Sequence, residues 1–292
     1  MDPTITLVLS CTFLERAMVF RGDSSVRDVM EMDREVESGP DIRDLIRAFT
    51  PELNDSRLLR WDPTLDNEDG FGIQVALFDS GIFRKHPALQ GARIKARDFT
   101  GSDGVYDSTG HGTKNAGLLV AQGHGWLRGI APACTLLVGK VLGTGGLDAS
   151  AKALARAIRW AVYKGVHIVI IPLGRAHGSP LVTHEVHRAL ARGCVFFASA
   201  GNRGPDTLLF PASIRGVTAV SAAGPDGTPL EWCCQTSQVD FYAPGLEVWS
   251  IGPKDRCTVS GSSPATVLTA GLFALRLAQE RRIRQKLWGQ ND

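Results

Sequence analysis

Short apolar runs alternate with longer amphipathic stretches from residue 72 onward. Each run is too short to form a buried helix by itself and is rich in β-branched residues, which predicts a buried strand. Helical spacing between the runs predicts an α/β fold with a mostly parallel central sheet and helices on both faces. The predicted strands are residues 73–78, 135–142, 166–171, 194–198 and 217–221, and the clearest helices are residues 148–163, 184–192 and 267–277.

Residues 1 to about 70 follow a different pattern. An opening apolar run over residues 1–11 predicts a strand, and two short helices are expected at residues 25–36 and 41–49. The acidic, turn-rich residues 62–70 are typical of a linker. We therefore predict an N-terminal extension or propeptide-like segment with its linker over 1–70, a main domain over 71–280 and a basic C-terminal tail over 281–292.

Net charge and hydropathy argue against nucleic acid and membranes as partners. The 292 residues include 32 Lys and Arg against 30 Asp and Glu, a net charge of +2 without a long basic block. This balance predicts neither nucleic acid nor a membrane surface as a partner. The chain lacks the run of ~20 apolar residues that spans a bilayer. The acidic N-terminus does not resemble a signal peptide, which favours a cytoplasmic protein over a secreted one.

The six cysteines do not have the spacing of metal ligands. Two of them lie in or beside apolar segments, so buried free thiols are the expected state. A disulfide from Cys257 to Cys233 or Cys234 stays open as an alternative.

Four polar residues occupy positions suited to acyl transfer. Asp79 follows a predicted strand, His111 lies between glycines before a helical run, and Asn202 follows another strand. Ser263 precedes an apolar helix, and Pro264 fits the first helical position. At a helix start, free N–H groups can hold an oxyanion. Each residue alone could serve a turn or a cap, but together they provide orienter, base, oxyanion donor and nucleophile.

The motifs around these residues resemble those of the subtilisin-like serine peptidases. They are Asp79-Ser80-Gly81, Gly110-His111-Gly112-Thr113, Ala200-Gly201-Asn202 and Gly261-Ser262-Ser263, in the chain order of subtilisin. The resemblance covers residues 72 to about 278 and implies a serine endopeptidase acting on proteins or peptides. It makes Ser263 the nucleophile, His111 the base, Asp79 its orienting carboxylate and Asn202 an oxyanion donor.

The same resemblance implies a substrate cleft. An extended peptide would add to two edge segments, with main-chain hydrogen bonds providing affinity. The pocket beside the scissile bond would have two walls and a floor that the sequence does not assign. Phe210-Pro211 is a candidate cis peptide. The implied substrate-binding residues are Leu142, Gly143, Leu173, Gly174, Ala198, Ser199, Ala200 and Gly201.

Departures from the family pattern leave alternatives open. Ala88 replaces the acidic residue that commonly ligates a structural calcium, so we expect neither a metal nor another cofactor, and calcium stays open only as an alternative that the resemblance implies. Unusual residues near the motifs allow a degenerate subtilase that binds peptides without cutting them, and membership of a larger multidomain protein stays open as well. A nucleotide-binding protein using Gly143-Thr144-Gly145-Gly146 is a third alternative, although that run lacks the full dinucleotide fingerprint. The unusual residues are Lys114, Pro172, Pro264 and Val267.

Overall fold

A computed structural model describes residues 40–49, 55–102, 104–143, 150–252 and 256–288. The predicted strand over 1–11, the predicted helix over 25–36 and the glycine-rich turn over 144–146 lie outside these residues. The helices are α1 (Ile42–Ala48), α2 (His111–Val120), α3 (Ala151–Tyr163), α4 (Pro180–Leu190) and α5 (Ser262–Trp288). Short 3-10 turns cover Pro63–Leu65 and Pro87–Leu89.

The described strands form one large sheet and two small hairpins. The large sheet contains β1 (Gln74–Asp79), β2 (Arg93–Asp98), β5 (Thr135–Lys140), β6 (Ile168–Ile171), β7 (Val195–Ser199), β8 (Val217–Ala223) and β9 (Phe241–Pro244). The hairpins pair β3 (Gln122–Gly123) with β4 (Leu127–Arg128), and β10 (Val248–Ile251) with β11 (Arg256–Val259).

The seven-stranded sheet has the order β2-β5-β1-β6-β7-β8-β9, and every neighbouring pair runs parallel. Strand β1 therefore lies near the middle, next to β6, and β7 follows on the other side of β6. The carboxyl ends of all three strands meet at one edge, where open α/β sheets bind their ligands. The predicted parallel sheet with helices on both faces is confirmed.

Alternating side chains of β1 point into two separate cores. Val75 and Leu77 pack with α2 and α5 on one face of the sheet, whereas Ala76 and Phe78 pack with α3 and α4 on the other. A strand buried on both faces must be apolar throughout. This requirement explains why the central strands were visible in the sequence as continuous apolar runs.

Residues that the sequence suggested as a linker pack against the long C-terminal helix. Leu65 lies in the main core, and Thr64 accepts a hydrogen bond from Gln279 at 2.7 Å. The buried Glu68 pairs with Arg282 of α5. The acidic stretch at residues 62–70 is thus part of the packed structure, and α5 carries the chain beyond the predicted apolar helix.

Helix α5 begins at Ser262, so Pro264 is its third residue and not its first, as the sequence had suggested. Proline is tolerated there because the first four N–H groups of a helix have no acceptor within the helix. None of the helices in the described part of the chain combines the length and apolar character needed to cross a bilayer.

Candidate active site

The carboxyl end of β1 places a buried carboxylate against the first residue of helix α2. Asp79 is fully buried, and its Oδ1 lies 2.7 Å from Nδ1 of His111, whose side chain is a third exposed. Gly112 permits this close approach, because a Cβ atom there would lie 2.3 Å from the carbonyl oxygen of Gly81. The imidazole is thus held by its Nδ1 and presents its other nitrogen away from the carboxylate.

Both carboxylate oxygens of Asp79 accept further hydrogen bonds. The Ser80 backbone N–H donates to Oδ1 at 2.6 Å, and Nδ2 of Asn115 donates to Oδ2 at 2.9 Å. Asn115 lies one turn after His111 in α2 and is 2% exposed. Hydrogen bonds from both sides fix the carboxylate plane, and that plane determines the direction of the imidazole.

A second carboxylate shapes the loop that leads into α2. Asp107 accepts hydrogen bonds from the hydroxyl of Ser80 at 2.8 Å, the N–H of Gly110 at 2.8 Å and the hydroxyl of Thr113 at 2.7 Å. Burial opposes ionisation, but the hydrogen bonds from Thr113, Ser80 and Gly110 keep the pKa of Asp107 below its ordinary value. Asp107 is therefore a fixed negative charge close to the imidazole.

Opposing influences set the basicity of His111. Burial is the largest and lowers its pKa, whereas the charge and hydrogen bond of Asp79 raise it, and the charge of Asp107 raises it further. Lys114 acts in the opposite direction. The net result is a pKa above the ordinary value of 6.5. The geometry favours the imidazolium, which is the state that a general base reaches after it accepts a proton.

Ser263 is half-buried at the start of α5, and its hydroxyl has a backbone partner. Its Oγ donates to the carbonyl oxygen of Pro172, the residue after β6, at 2.9 Å. Among the hydrogen bonds of the described residues, none joins Ser263 to His111. The structure therefore pairs Asp79 with His111 and leaves the serine hydroxyl on a neighbouring carbonyl.

The exposed Asn202 is fixed through its amide oxygen. Its Oδ1 accepts the backbone N–H of Ser262 at 2.9 Å, the Ser262 hydroxyl at 2.7 Å and the thiol of Cys233 at 3.2 Å. Burial raises the pKa of Cys233 to about 11, so the thiol keeps its proton at neutral pH. With Oδ1 saturated, the amide nitrogen remains as the donor group. A Cβ atom added to Gly261 would lie only 2.6 Å from this nitrogen, so position 261 requires glycine.

The other suggested substrate-binding residues differ in accessibility. Gly143 is exposed, and Leu173 and Gly174 are partly exposed. Ser199 is buried with its hydroxyl 2.6 Å from that of Ser262, so its side chain supports α5 and does not line a cleft. Any contribution of the fully buried members to peptide binding must come from their backbones. Those members are Leu142, Ala198, Ala200 and Gly201.

Asn115 and Cys233 belong to the site, although no role at the site was predicted for either from the sequence. Cys233 was considered only as a possible disulfide partner of Cys257. A buried asparagine one helical turn after the candidate base is a detectable signal, because positions i and i+4 share a helix face. Cys233 gave no comparable signal, since it reaches Asn202 from 31 positions along the chain.

The region around Ala88 does not fit a calcium ion. Ala88 is buried and has no side-chain oxygen, while its N–H donates to Nδ1 of His86 at 3.1 Å. The other nitrogen of His86 lies 2.8 Å from the carbonyl oxygen of Gly252. Calcium needs six or more oxygen ligands. Within the described residues, no group of three or more His, Cys, Asp or Glu side chains is placed to hold a metal ion.

The described cysteines are free thiols, so the suggested disulfides of Cys257 do not form. The predicted cis peptide between Phe210 and Pro211 is present.

Comparison with known proteins identifies relatives across most of the chain. A thermostable alkaline protease of Halalkalibacterium halodurans is 34% identical over 209 residues, which cover 70% of this chain and 57% of that protein. The major intracellular serine protease of Bacillus subtilis is 30% identical, with coverage of 76% and 74%. The chain thus spans little more than half of the first relative and about three quarters of the second.

Solved structures support the same relationship. The self-cleaved protease domain of PatA matches with a TM-score of 0.67 and 30% identity, covering 74% of this chain and 83% of that one. The nucleotide-binding alternative receives no support from these matches. The subtilase family profile matches residues 70–289. The four ordered motifs, the parallel sheet and these matches together show that the chain belongs to the subtilase family.

Proposed function

We propose that this protein is a serine endopeptidase that hydrolyses peptide bonds through Asp79, His111 and Ser263. The observation that carries the proposal is the 2.7 Å contact between a fully buried Asp79 and His111, at the sheet edge that also carries Asn202 and Pro172, the carbonyl partner of Ser263. A buried carboxylate on Nδ1 fixes the imidazole so that the other nitrogen can accept a proton. This arrangement suits acyl transfer better than peptide binding alone.

The proposed reaction has two acyl-transfer steps. His111 takes the proton from the Ser263 hydroxyl as Oγ attacks the peptide carbonyl, and the carbonyl oxygen becomes an oxyanion. Nδ2 of Asn202 and the N–H of Ser263 donate to that oxyanion. The C–N bond then breaks as His111 gives its proton to the leaving amine. Water repeats the sequence on the acyl-enzyme, releasing the acid and restoring the serine.

One local movement precedes the attack. The Ser263 hydroxyl donates to Pro172 O and must turn toward His111 before it can transfer its proton. Rotation about the Cα–Cβ bond of serine is enough to redirect its hydroxyl, and side-chain rotations of this kind occur on the picosecond to nanosecond timescale. The carbonyl of Pro172 can hold the hydroxyl until substrate arrives without imposing a slow step.

A fluorophosphonate probe tests the proposal, because it labels a serine only when a neighbouring base activates it. The parent protein should be labelled, and Ser263→Ala should not. Ser262→Ala serves as the matched control, since Ser262 is the adjacent hydroxyl and should leave labelling at residue 263 detectable. Equal labelling of the parent and Ser263→Ala would end the assignment.

A peptide-binding module without catalysis is the second candidate. It is motivated by the Ser263 hydroxyl, which is bound to a backbone carbonyl and not to the base. In that case a diverse peptide pool would bind equally well to the parent and to His111→Ala, and mass spectrometry would detect no cleavage by the parent. Cleavage by the parent that is lost in His111→Ala would reject this candidate.

We further propose that the enzyme acts inside the cell and does not depend on calcium. The intracellular site is supported by the relative named as an intracellular protease, and calcium independence by the absence of a side-chain oxygen on Ala88. Fractionation of the native host tests the first point. Chelation of calcium should leave the Tm unchanged, whereas a fall in Tm that added calcium reverses would refute the second.

A further inference from the structure

The segments after β6 and β7 form two walls beside the candidate nucleophile. Pro172, after β6, accepts the hydroxyl of Ser263, and Gly201, after β7, donates its N–H to the hydroxyl of Ser262 at 3.3 Å. The two strands are neighbours in the sheet. If Ser263 attacks a peptide carbonyl that Asn202 holds, the substrate residue that carries this carbonyl therefore lies between the two walls. The side chain of that residue would extend into the space between them.

The side chain of Leu209 already occupies this space. A Cβ atom added to Gly174, on the first wall, would lie 2.7 Å from both Cβ and Cδ1 of Leu209. A Cβ atom added to Gly201, on the second wall, would lie 2.6 Å from Cγ and 2.7 Å from Cδ1 of the same residue. Leu209 is thus packed between two glycines, and it is only 5% exposed.

Backbone hydrogen bonds attach Leu209 to both walls. Its N–H donates to the carbonyl of Ala200 at 2.9 Å, which fixes it to the second wall. The next residue, Phe210, exchanges two hydrogen bonds of 2.9 Å with Arg175, the residue after Gly174 on the first wall. A leucine held at both sides cannot move away to admit a large side chain without breaking these pairs.

We infer that Leu209 is the floor of the pocket for the residue on the acyl side of the scissile bond, and that it restricts this residue to glycine, alanine or another small side chain. The inference rests on the proposed peptidase function and adds to it a substrate class. Tight packing makes the restriction strong, because a pocket filled by a branched side chain rejects added carbon atoms by steric overlap. Each methylene that does not fit costs about 10- to 200-fold in kcat/KM.

Fluorogenic peptides that differ only in the residue before the scissile bond test this inference. The parent enzyme should cleave after alanine with a kcat/KM at least about 100-fold higher than after phenylalanine. In Leu209→Ala the same ratio should fall at least about tenfold, because the vacated space admits larger side chains. Leu208→Ala is the matched control: it removes the same atoms from the adjacent residue and should leave the ratio at the parent value.

The outcomes separate this inference from the proposed function. A parent enzyme that is labelled by fluorophosphonate and cleaves after phenylalanine as well as after alanine would overturn the role of Leu209 and leave the peptidase function standing. A parent that is never labelled would overturn both. If Leu209→Ala does not fold, as judged by its thermal unfolding, the alanine-to-phenylalanine ratio of the parent still decides the question.

Discussion

The candidate site has two sides that are held in different ways. On the base side, side chains hold one another: Asp79 contacts His111, Asn115 and Ser80 through hydrogen bonds of 2.6 to 2.9 Å. On the nucleophile side, Ser263 donates to a backbone carbonyl, and no hydrogen bond among the described residues connects it to the base. The charged groups are therefore fixed before substrate binds, while the proton-transfer link between the sides remains to be made.

This difference separates two requirements of catalysis. Charge stabilisation depends on dipoles that are already oriented, since reorienting them during the reaction would cost free energy. Proton transfer depends on one hydrogen bond that can form when substrate arrives, and catalytic hydrogen bonds often tighten only in the substrate complex. The oriented groups are buried or multiply bonded, whereas in the proposed mechanism the serine hydroxyl turns from Pro172 toward His111 when substrate arrives.

A double variant that lacks both the nucleophile and the base should have a kcat no lower than that of either single variant. In subtilisin, loss of the nucleophile or the base alone costs about 2 × 10⁶ in kcat, roughly as much as loss of the whole triad. We expect similar losses in Ser263→Ala and His111→Ala, and no additional loss in the double variant. Steady-state kinetics with one peptide substrate measures this. Losses that multiply would show that the two sides act independently.

Removing the oxyanion donor should have the next largest effect. Asn202→Ala should lower kcat by about 10²- to 10³-fold with little change in KM, because in the proposed mechanism the amide donates to the oxyanion and not to the ground-state carbonyl. The exposed Asn67, which precedes the amino end of β1, supplies the control Asn67→Ala, which should leave kcat unchanged. A large rise in KM with constant kcat would instead assign Asn202 to substrate binding.

Asn115 provides a smaller test confined to the base side. Asn115→Val removes a donor to a buried carboxylate, which should lower the free energy of unfolding by about 1.5–3 kcal/mol. It should also lower kcat/KM about tenfold, equivalent to ~1.4 kcal/mol of transition-state stabilisation. With one fewer partner, Asp79 holds the imidazolium more tightly, so the acid limb of the pH profile should move to higher pH. A fall in stability with an unchanged acid limb would reduce Asn115 to a structural role.

The smallest expected effect concerns Lys114. The pKa of His111 lies above 6.5, and the base must be unprotonated, so kcat/KM should rise with pH through that raised pKa and be lost below it. Lys114 lowers the pKa of His111 by charge repulsion. Lys114→Met should therefore move the acid limb to higher pH, with the plateau rate nearly unchanged. Lys114→Arg, which keeps the charge, is the control, and an acid limb that shifts equally in both variants would contradict the electrostatic explanation.

The central part of the fold could be predicted from the sequence, and its edges could not. Strands β1 and β6 are buried on both faces and therefore appear as continuous apolar runs. The edge strand β2, by contrast, alternates exposed and half-buried residues and carries three basic side chains, Arg93, Lys95 and Arg97. Charged residues are typical of edge strands because they discourage pairing with other chains. The same feature conceals such strands from a search for apolar runs.

The candidate site divides in a similar way. Asp79, His111, Asn202 and Ser263 lie in local motifs whose glycines and strand ends are visible in the sequence. The contacts of Leu209 with Gly174 and Gly201 depend instead on how two loops fold over each other. Local sequence does not encode that arrangement. The identities of the candidate catalytic groups were therefore predictable, whereas the shape of the pocket required the structure.

A crystal structure of the fluorophosphonate adduct would show whether the two sides of the site join. We predict a phosphorus–oxygen bond to Ser263 Oγ, with the hydrogen bond to Pro172 lost and His111 within hydrogen-bonding reach of the adduct. A phosphoryl oxygen should lie about 2.7–3.1 Å from Nδ2 of Asn202. An adduct on another residue, or a phosphoryl oxygen turned away from Asn202, would contradict this account.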